Sequence, residues 1–371
     1  MSINTSTSVK DRIDIFITNN LKPHIEKWEA DRYTPYHLIG ELGRENILLD
    51  CSKGDKSLPN KLYLAQSIGS LSLGISSTVL NTLNIPLYLL NKHASNSLLQ
   101  RYLESYLKGS VIGAIAITEP QGGSNFINET ETKLTMLDDK IVLNGQKHFI
   151  LNLPGADFVI VLAKSRDHGL LSHTLILVPT NLTGVKIDKI NTNGLHTASF
   201  GMVTFKDVII SKENIIGRLH RGLTYLDSAL NEERLVGTFA LMSMAERVLK
   251  DTYKYINSRP MFDSKLSQLQ VVRHRMVELS ADYEVAKAFL EEVAEIWIKT
   301  KDKESSTKIA MAKLICTKAA LKIVNDCLQM YGGRGFLKDF NISRVYRDIL
   351  GVSSFAGTLE MMKEIIANRK I

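Results

Sequence analysis

Glycine-rich segments that could bring backbone amides close to a ligand occur at three places in the chain. They are Thr118–Asn125 (TEPQGGSN), Asn144–Lys147 (NGQK) and Gln329–Phe336 (QMYGGRGF). Because glycine has no side chain, such segments can place N–H groups against an anion or a flat ring. Each of them on its own is more typical of a turn, so their meaning depends on the elements that hold them.

The histidines and cysteines do not form a pattern that would bind a metal or act as a nucleophile. The nine histidines lack a ligand spacing such as His-Glu-x-x-His, and neither a Gly-x-Ser-x-Gly elbow nor a Walker phosphate loop occurs. Cys51, Cys316 and Cys327 are odd in number and far apart. We therefore expect no metal site and no disulfide framework, and a reducing cytoplasm as the location.

The composition is that of a globular protein of two or three domains. The 371 residues are 44% hydrophobic and 23% charged, with a net charge of +7. This charge suits a phosphorylated cofactor, coenzyme A or an acidic carrier protein, although a solvated basic surface is the more common cause of such a charge. Aromatic residues are only 7% of the chain and are not interleaved with arginines, so nucleic acid is not an expected partner.

The N-terminus and the most apolar region do not predict a membrane protein. No basic flank followed by an apolar core is present at the N-terminus, so no secretory signal is expected. The apolar region from about Leu62 to Leu90 is interrupted by Ser76, Asn81 and Asn84 among other polar residues. It therefore reads as buried helix rather than as a membrane span.

The periodicity of apolar residues changes twice along the chain. Residues 8 to about 110 have helical spacing, apart from a predicted loop at Lys53–Asn60. Residues 113–217 alternate β-branched and polar residues between frequent turn signals. After Gly217 the helical pattern returns in long stretches. The sequence thus predicts an α+β protein with three domains: an N-terminal helical domain (1–112), a β-barrel or sandwich (113–217) and a C-terminal four-helix bundle (218–371).

The predicted elements are specific enough to be compared with a structure. The strand candidates are 114–118, 140–143, 158–162 and 174–178. The long helices are predicted at 225–258, 267–300 and 307–330, with a last helix from about Leu359.

Taken together and in this order, the motifs resemble those of the acyl-CoA dehydrogenase family of flavoproteins. Thr118–Asn125 is similar to the family's Thr-Glu-Pro-x-x-Gly-Ser-Asp motif, with Asn125 in place of the aspartate. Further similar segments are Leu143–Lys147 with Ala156-Asp157, Phe205–Val208 with Asn214 and Gly217, Arg259–Phe262 with Gln270, Gln329 with Gly332-Gly333 and Gly335, Arg347-Asp348, and Gly357-Thr358.

The resemblance implies an FAD enzyme, with FAD between the β domain and the helical bundle. It assigns cofactor contacts within the subunit to Thr118, Gly123, Ser124, Phe149, Leu151 and Thr358. It assigns the adenine end of a neighbouring subunit's FAD to Arg259, Phe262, Gln270, Gln329, Gly332 and Gly333. A homodimer or homotetramer is therefore expected. A glycine-rich cradle with an arginine is physically suited to a pyrophosphate.

One departure from the family decides where the catalytic base must be sought. The family removes a proton from the carbon α to a thioester, usually with the glutamate just before Gly-Thr, but Ala356 occupies that position here. Some members, such as isovaleryl-CoA dehydrogenase, carry the glutamate on the first bundle helix before an arginine. Glu233, followed by Arg234, matches that place, whereas Glu232 points about 100° away. We therefore predict Glu233 as base.

The substrate-binding residues predicted from the resemblance are Arg234, Ala356 and Gly357. The family's oxyanion site uses a backbone amide at the position of Ala356, and a backbone amide survives the loss of the glutamate side chain. The alternative for Glu233 is a carboxylate at the helix surface, paired with a neighbouring cation.

A second departure leaves the electron acceptor and the exact activity open. Leu151 stands where the family usually has Thr or Ser beside flavin N5, so no hydroxyl is available there, although Phe149 can still pack on the isoalloxazine. The acceptor is expected to be an electron-transfer flavoprotein or oxygen. The expected function is α,β-dehydrogenation of an acyl or aminoacyl thioester on a carrier protein or on CoA. The alternatives are fatty or branched-chain acyl-CoA catabolism, another flavoenzyme such as an oxidase, and a catalytically silent FAD-fold binding protein.

Overall fold

The computed structural model describes residues 8–125, 129–166, 171–338 and 340–371, and helices fill the chain up to Leu107. The bounds of these helices are α1 Val9–Phe16, α2 Ile25–Asp31, α3 His37–Arg44, α4 Ile47–Asp50, α5 Ser57–Gly69, α6 Leu73–Leu83, α7 Ile85–His93 and α8 Asn96–Leu107. Local sequence explains several of the boundaries. Ser95, for example, caps α8 by accepting a hydrogen bond from the backbone N–H of Leu98 at 3.3 Å.

The loop predicted at Lys53–Asn60 is only half correct, because helix α5 begins at Ser57. Pro59 lies in the first turn of this helix. Proline is tolerated there, since the N–H that it lacks would have no partner within the helix. A turn signal that contains proline can therefore also mark the start of a helix.

The apolar segment Leu73–His93 has the length and hydropathy of a membrane-spanning helix, but 89% of its apolar 18-residue window is buried inside the protein. In the structure it is divided into α6 and α7, with Asn84 between them. This agrees with the interpretation of the segment as buried helix.

The central part of the chain forms one eight-stranded sheet with the strand order β6-β7-β3-β2-β4-β5-β8 and with β1 beside β4. The strands are β1 Gly113–Ala116, β2 Lys133–Leu137, β3 Lys140–Leu151, β4 Phe158–Lys164, β5 His173–Pro179, β6 Val185–Ile190, β7 Phe200–Ser211 and β8 Ile215–Ile216. β4 is buried along nearly its whole length, which explains its continuous apolar sequence. β1 pairs with it in parallel, with Gly113 opposite Phe158.

Long helices return after the sheet and continue to the C-terminus. They are α9 Gly222–Ser258, α10 Gln270–Lys299, α11 Lys303–Met330, α12 Asn341–Val352 and α13 Leu359–Lys370. A short hairpin of β9 Pro260–Met261 and β10 Ser264–Lys265 follows α9. Asp302 and Ser305 form a reciprocal capping box at the start of α11. The predicted fold class, with helices, a central β domain and a helical C-terminal part, is confirmed.

The chain divides into two compact units that do not coincide with the order of the elements. The first comprises Met1–Lys61, Ser77–Thr192 and His196–Glu233, and the second comprises Leu62–Ser76, Asn193–Leu195 and Arg234–Ile371. Helix α9 therefore contributes Glu233 to the first unit and Arg234 to the second. The division into three sequence domains at residues 112 and 217 stays a prediction.

Candidate active site

The first glycine-rich segment forms a tight loop after β1 in the first unit. The backbone N–H of His148 donates to the carbonyl of Thr118 at 2.8 Å, which ties this loop to strand β3. A Cβ at Gly123 would lie only 2.8 Å from Thr118 Oγ1, so a larger residue would displace the threonine. Ser124 follows in an exposed position. The loop thus presents polar groups at the surface while its base is fixed to the sheet.

A buried ion pair anchors the same loop from below. Lys147 Nζ lies 2.8 Å from Glu119 Oε1, with exposed side-chain fractions of 0% and 6%, and also donates to the carbonyl of Ile117 at 2.8 Å. The carboxylate further accepts the N–H groups of Glu131 and Thr132. Burial alone would raise the pKa of Glu119, but Lys147 and these donors outweigh it and hold the pKa below its ordinary value. Burial lowers the pKa of Lys147 to about 8, so the pair is ionised at neutral pH.

Strand β3 places an aromatic ring beside this loop. The pairing of β3 with β7 is irregular between Lys147 and Ile150, and Phe149 has a positive φ of 55°. Its side chain is 61% exposed, which is unusual for phenylalanine. Bulges and strained backbone often occur next to functional sites, where they turn a side chain in a particular direction. Here they direct an apolar ring outward. Leu151 follows, half-buried, with its carbonyl 3.4 Å from the amide nitrogen of Asn81.

The predicted base, Glu233, is half-buried on helix α9 and is held by a hydrogen bond. Asn84 Nδ2, at the start of α7, donates to Glu233 Oε2 at 2.6 Å. The preceding residue, Glu232, points elsewhere and pairs with buried Lys61 at 2.5 Å. The two adjacent carboxylates are therefore held by different residues, Glu232 by Lys61 and Glu233 by Asn84.

In the second unit, two buried cations fix the segment around Ala356. Arg234 Nε donates to the carbonyl of Ala356 at 3.0 Å, and Lys313 Nζ donates to the carbonyls of Phe355 and Gly357. Ala356 and Gly357 have positive φ values of 52° and 102°. Three successive carbonyls thus face positive charge in a conformation that is unfavourable for alanine, so the backbone of this segment is tightly constrained.

Thr358 lies directly after this segment and caps the last helix, α13. Its hydroxyl accepts a hydrogen bond from the N–H of Met361 at 3.3 Å. A capped N-terminus of a helix carries partial positive charge and suits a phosphate group.

A cavity of about 690 Å³ in the second unit collects most of the residues predicted for the adenine end of FAD. It is lined by Arg259, Gln329, Gly332 and Gly333, among others. A Cβ at Gly332 or Gly333 would meet nothing within 4 Å, so these glycines leave the cavity open. Phe262, which is 85% exposed, and Gln270 are not among the lining residues, so the structure does not group them with the other four.

Taken unit by unit, these features each fit a part of FAD in chemical character. An exposed aromatic ring can pack on the isoalloxazine, a capped helix N-terminus suits the pyrophosphate, and an open glycine-lined cavity beside an arginine suits a nucleotide. Among the described residues, no group of three or more His, Cys, Asp and Glu side chains could hold a metal ion.

Sequence motifs did not identify Asn84, Lys61 or Lys313 as functional residues. The sequence contains one signal for Asn84, which interrupts the apolar stretch from about Leu62 to Leu90. The structure adds that the residue is only 1% exposed. A buried polar side chain needs a hydrogen-bond partner, and the partner of Asn84 is Glu233.

Comparison with known proteins gives consistent matches. Residues 114–208 match the middle domain of acyl-CoA dehydrogenases and residues 220–371 match their C-terminal domain. The long-chain specific acyl-CoA dehydrogenase of Sus scrofa mitochondria is 28% identical, over 96% of this chain and 84% of that protein. The L-prolyl-[peptidyl-carrier protein] dehydrogenase of a Serratia species is 29% identical, over 81% of this chain and 78% of that protein.

Among solved structures, an acyl-CoA dehydrogenase from Geobacillus kaustophilus is similar to this chain with a TM-score of 0.90 and 26% identity. The match covers 97% of this chain and 96% of that one. The two family matches together span most of the sequence, and the ordered motifs fall within them apart from Asn214 and Gly217, which lie between the two. The chain therefore belongs to the acyl-CoA dehydrogenase family, whose members are FAD-dependent dehydrogenases of acyl thioesters.

Proposed function

We propose that this protein oxidises the α,β bond of an acyl or aminoacyl group carried as a thioester on a carrier protein, with Glu233 as the base. The observation that carries the proposal is the ordered, half-buried carboxylate of Glu233, combined with Ala356 at the family's usual base position. Alanine cannot accept a proton. Glu233 has the acid–base chemistry, and Asn84 gives it a fixed orientation.

In the proposed reaction, the C–H bond α to the thioester carbonyl breaks and its proton passes to the Glu233 carboxylate. Bound FAD would supply the acceptor for the hydride that leaves the β-carbon, so that the loss of the proton and the hydride gives a carbon–carbon double bond. The backbone N–H of Ala356 donates to the thioester carbonyl, as in the family. Arg234 and Lys313 hold the carbonyls of residues 355–357, so this peptide need not reorganise when charge develops on the substrate.

The proposal extends to the cofactor and the assembly. Thr118, Gly123, Ser124, Phe149, Leu151 and Thr358 are proposed to contact FAD in the same subunit. The cavity beside Arg259, Gln329, Gly332 and Gly333 is proposed to take the adenosine half of a second copy's FAD, in a homodimer or homotetramer. Phe262 and Gln270 are proposed to extend this surface. The three cysteines are free and buried, which is consistent with a reducing cytoplasm.

The role of Glu233 is tested by Glu233→Gln with anaerobic stopped-flow reduction of the flavin. We expect this variant to retain FAD and to lose reduction by substrate. Asp227→Asn, which removes an exposed carboxylate from the same helix, serves as the control and should reduce like the wild type. If Glu233→Gln is reduced at a rate near that of the wild type, Glu233 is not the base.

The carrier is tested with butyryl, isovaleryl, palmitoyl and prolyl groups, each offered as a CoA thioester and on a phosphopantetheinyl carrier protein. Faster bleaching by a carrier-bound form supports the proposal, which relies on the basic net charge and on the carrier-protein relative. Faster bleaching by the CoA forms contradicts the carrier assignment and favours acyl-CoA catabolism, as for the long-chain relative.

The electron acceptor is a separate question, because Leu151 cannot donate a hydroxyl hydrogen bond beside the flavin. An oxidase is therefore the second candidate function. Reoxidation of the reduced protein in air distinguishes the two. A reduced flavin that persists under oxygen favours an electron-transfer flavoprotein as acceptor, and rapid reoxidation favours an oxidase.

A further inference from the structure

Asn84 is placed unusually for an asparagine at the start of a helix. It is the N-cap residue of α7, and its carbonyl accepts the first helical hydrogen bond, from Tyr88 N–H, at 2.9 Å. Asparagine at this position normally caps the helix with its side chain, yet no capping bond from this side chain is formed. Pro86, one of the first two residues of the helix, lacks an N–H group and so reduces the need for a cap.

The side chain of Asn84 is instead directed at Glu233. Nδ2 donates to Glu233 Oε2 at 2.6 Å, and the residue is 1% exposed. This orientation of the amide suits an ionised Glu233, because the opposite orientation would place two oxygen acceptors against each other. The other amide atom, Oδ1, is buried and has no hydrogen-bond partner among the described residues.

These facts argue against a purely structural role. A buried acceptor without a donor destabilises a protein, and a leucine of similar size would avoid this cost. The side chain of Asn84 does not cap its helix, and its amide does not have a partner for each of its polar atoms within the part of the chain that the structure describes. Neither property therefore explains why an asparagine stands here. The bond to Glu233 is the feature that a leucine could not provide.

We propose that Asn84 is a positioning residue for the catalytic carboxylate, which it orients and keeps ionised through a hydrogen bond to Oε2. The inference rests on the proposed function, in which Glu233 is the base. A hydrogen bond donated to a carboxylate stabilises its charged form. Asn84 thus opposes the effect of burial, which favours the protonated form and would leave less of the base active at neutral pH.

Other ionisable groups near this part of α9 are Glu232, paired with Lys61, and Arg234, bonded to the Ala356 carbonyl. Tyr88 on α7 has a pKa that burial and the charge of Glu232 raise further from neutrality.

The test uses the FAD-loaded protein and the thioester from the panel above that reduces the wild type fastest. The pH profile of flavin reduction is measured for Asn84→Leu and for Asn84→Asp. We expect Asn84→Leu to move the profile to higher pH by about one to two units, the value of one hydrogen bond to a charged group. Asn84→Asp should move it further, since two adjacent carboxylates cannot both ionise easily. Asn214→Ala removes a buried asparagine that bonds only the Leu177 carbonyl among the described contacts, and should leave the profile unchanged.

A measurement without substrate accompanies the kinetics. The free energies of unfolding of Asn84→Leu, Glu233→Gln and the double variant form a double-mutant cycle. We expect the two single effects not to add. Additive effects, or an Asn84→Leu profile that coincides with that of the wild type, would overturn the proposal.

The outcomes separate the two levels of inference. If Glu233→Gln still reduces rapidly, or if no thioester of the panel bleaches the flavin, the proposed function fails. If Glu233→Gln is inactive while Asn84→Leu keeps the wild-type profile, only the role of Asn84 fails. A slower Asn84→Leu with an unshifted profile indicates a structural role and also overturns the proposal.

Discussion

The buried ion pair beside the proposed base offers the sharpest test of how helix α9 is held. Lys61 Nζ lies 2.5 Å from Glu232 Oε1, and the two side chains are only 5% and 11% exposed. The ammonium group also donates to the carbonyl of Leu83 at 3.3 Å. We expect Lys61→Met, which keeps a similar chain length and removes the charge, to destabilise the protein strongly.

The magnitude follows from the burial of the pair. Removing one partner of a buried ion pair costs about 3–5 kcal/mol. Protonation limits this loss of stability, because a carboxylate left without its partner can become neutral. For a glutamic acid with an ordinary pKa of about 4.3, protonation at pH 7 costs about 3.7 kcal/mol. At pH 5 the same proton costs about 1 kcal/mol. Lys61→Met should therefore lose about 3–4 kcal/mol at pH 7 and about 1 kcal/mol at pH 5.

The assay is urea denaturation at both pH values, with a matched exposed pair as control. Lys108 and Glu104 are 2.6 Å apart but 69% and 80% exposed, so Lys108→Met should cost less than about 1 kcal/mol. The double variant Lys61→Met/Glu232→Met should recover most of the loss, because it removes both buried charges. The reasoning is refuted if Lys61→Met costs no more than Lys108→Met, or costs the same at both pH values.

Three further predictions address the loop, the Ala356 segment and the cavity. Glu119 has a lowered pKa, so it stabilises the protein above its ordinary pKa and loses this effect as the pH falls through the lowered value. Glu119→Gln should thus lower the Tm at pH 7 but converge with the wild type in acid; a difference independent of pH would contradict this. Lys313→Met removes the donor to the carbonyls of Phe355 and Gly357 and should lower the free energy of unfolding by about 2–4 kcal/mol in urea denaturation. A loss under about 1 kcal/mol would argue against a role of Lys313 in holding this segment. Gly333→Val should keep the far-ultraviolet circular dichroism spectrum, since no atom of the protein obstructs the added Cβ. The valine should nevertheless reduce the ratio of FAD to protein, because Gly333 lines the cavity. Full FAD retention would exclude this cavity as part of the cofactor site.

The broad architecture was predictable because it depends on local periodicity. The β segments 158–162 and 174–178 lie within β4 and β5, and the last helix begins at Leu359 as expected. The boundary at Ser57 was missed because a proline in the first turn of a helix resembles a proline in a loop.

The sequence by itself determined the helix–sheet–helix order, because that order depends on the local periodicity of apolar residues. It also determined the family, because the family is recognised by short motifs in a fixed order. It also pointed to Glu233, since an arginine follows it and an alanine occupies the usual position of the base. Only the tertiary structure decided which groups surround that carboxylate. Asn84 lies 149 positions before Glu233, and Lys61 lies 171 positions before Glu232. Whether a buried polar side chain caps its own helix or bonds to a distant one depends on how the helices pack, which local spacing does not specify.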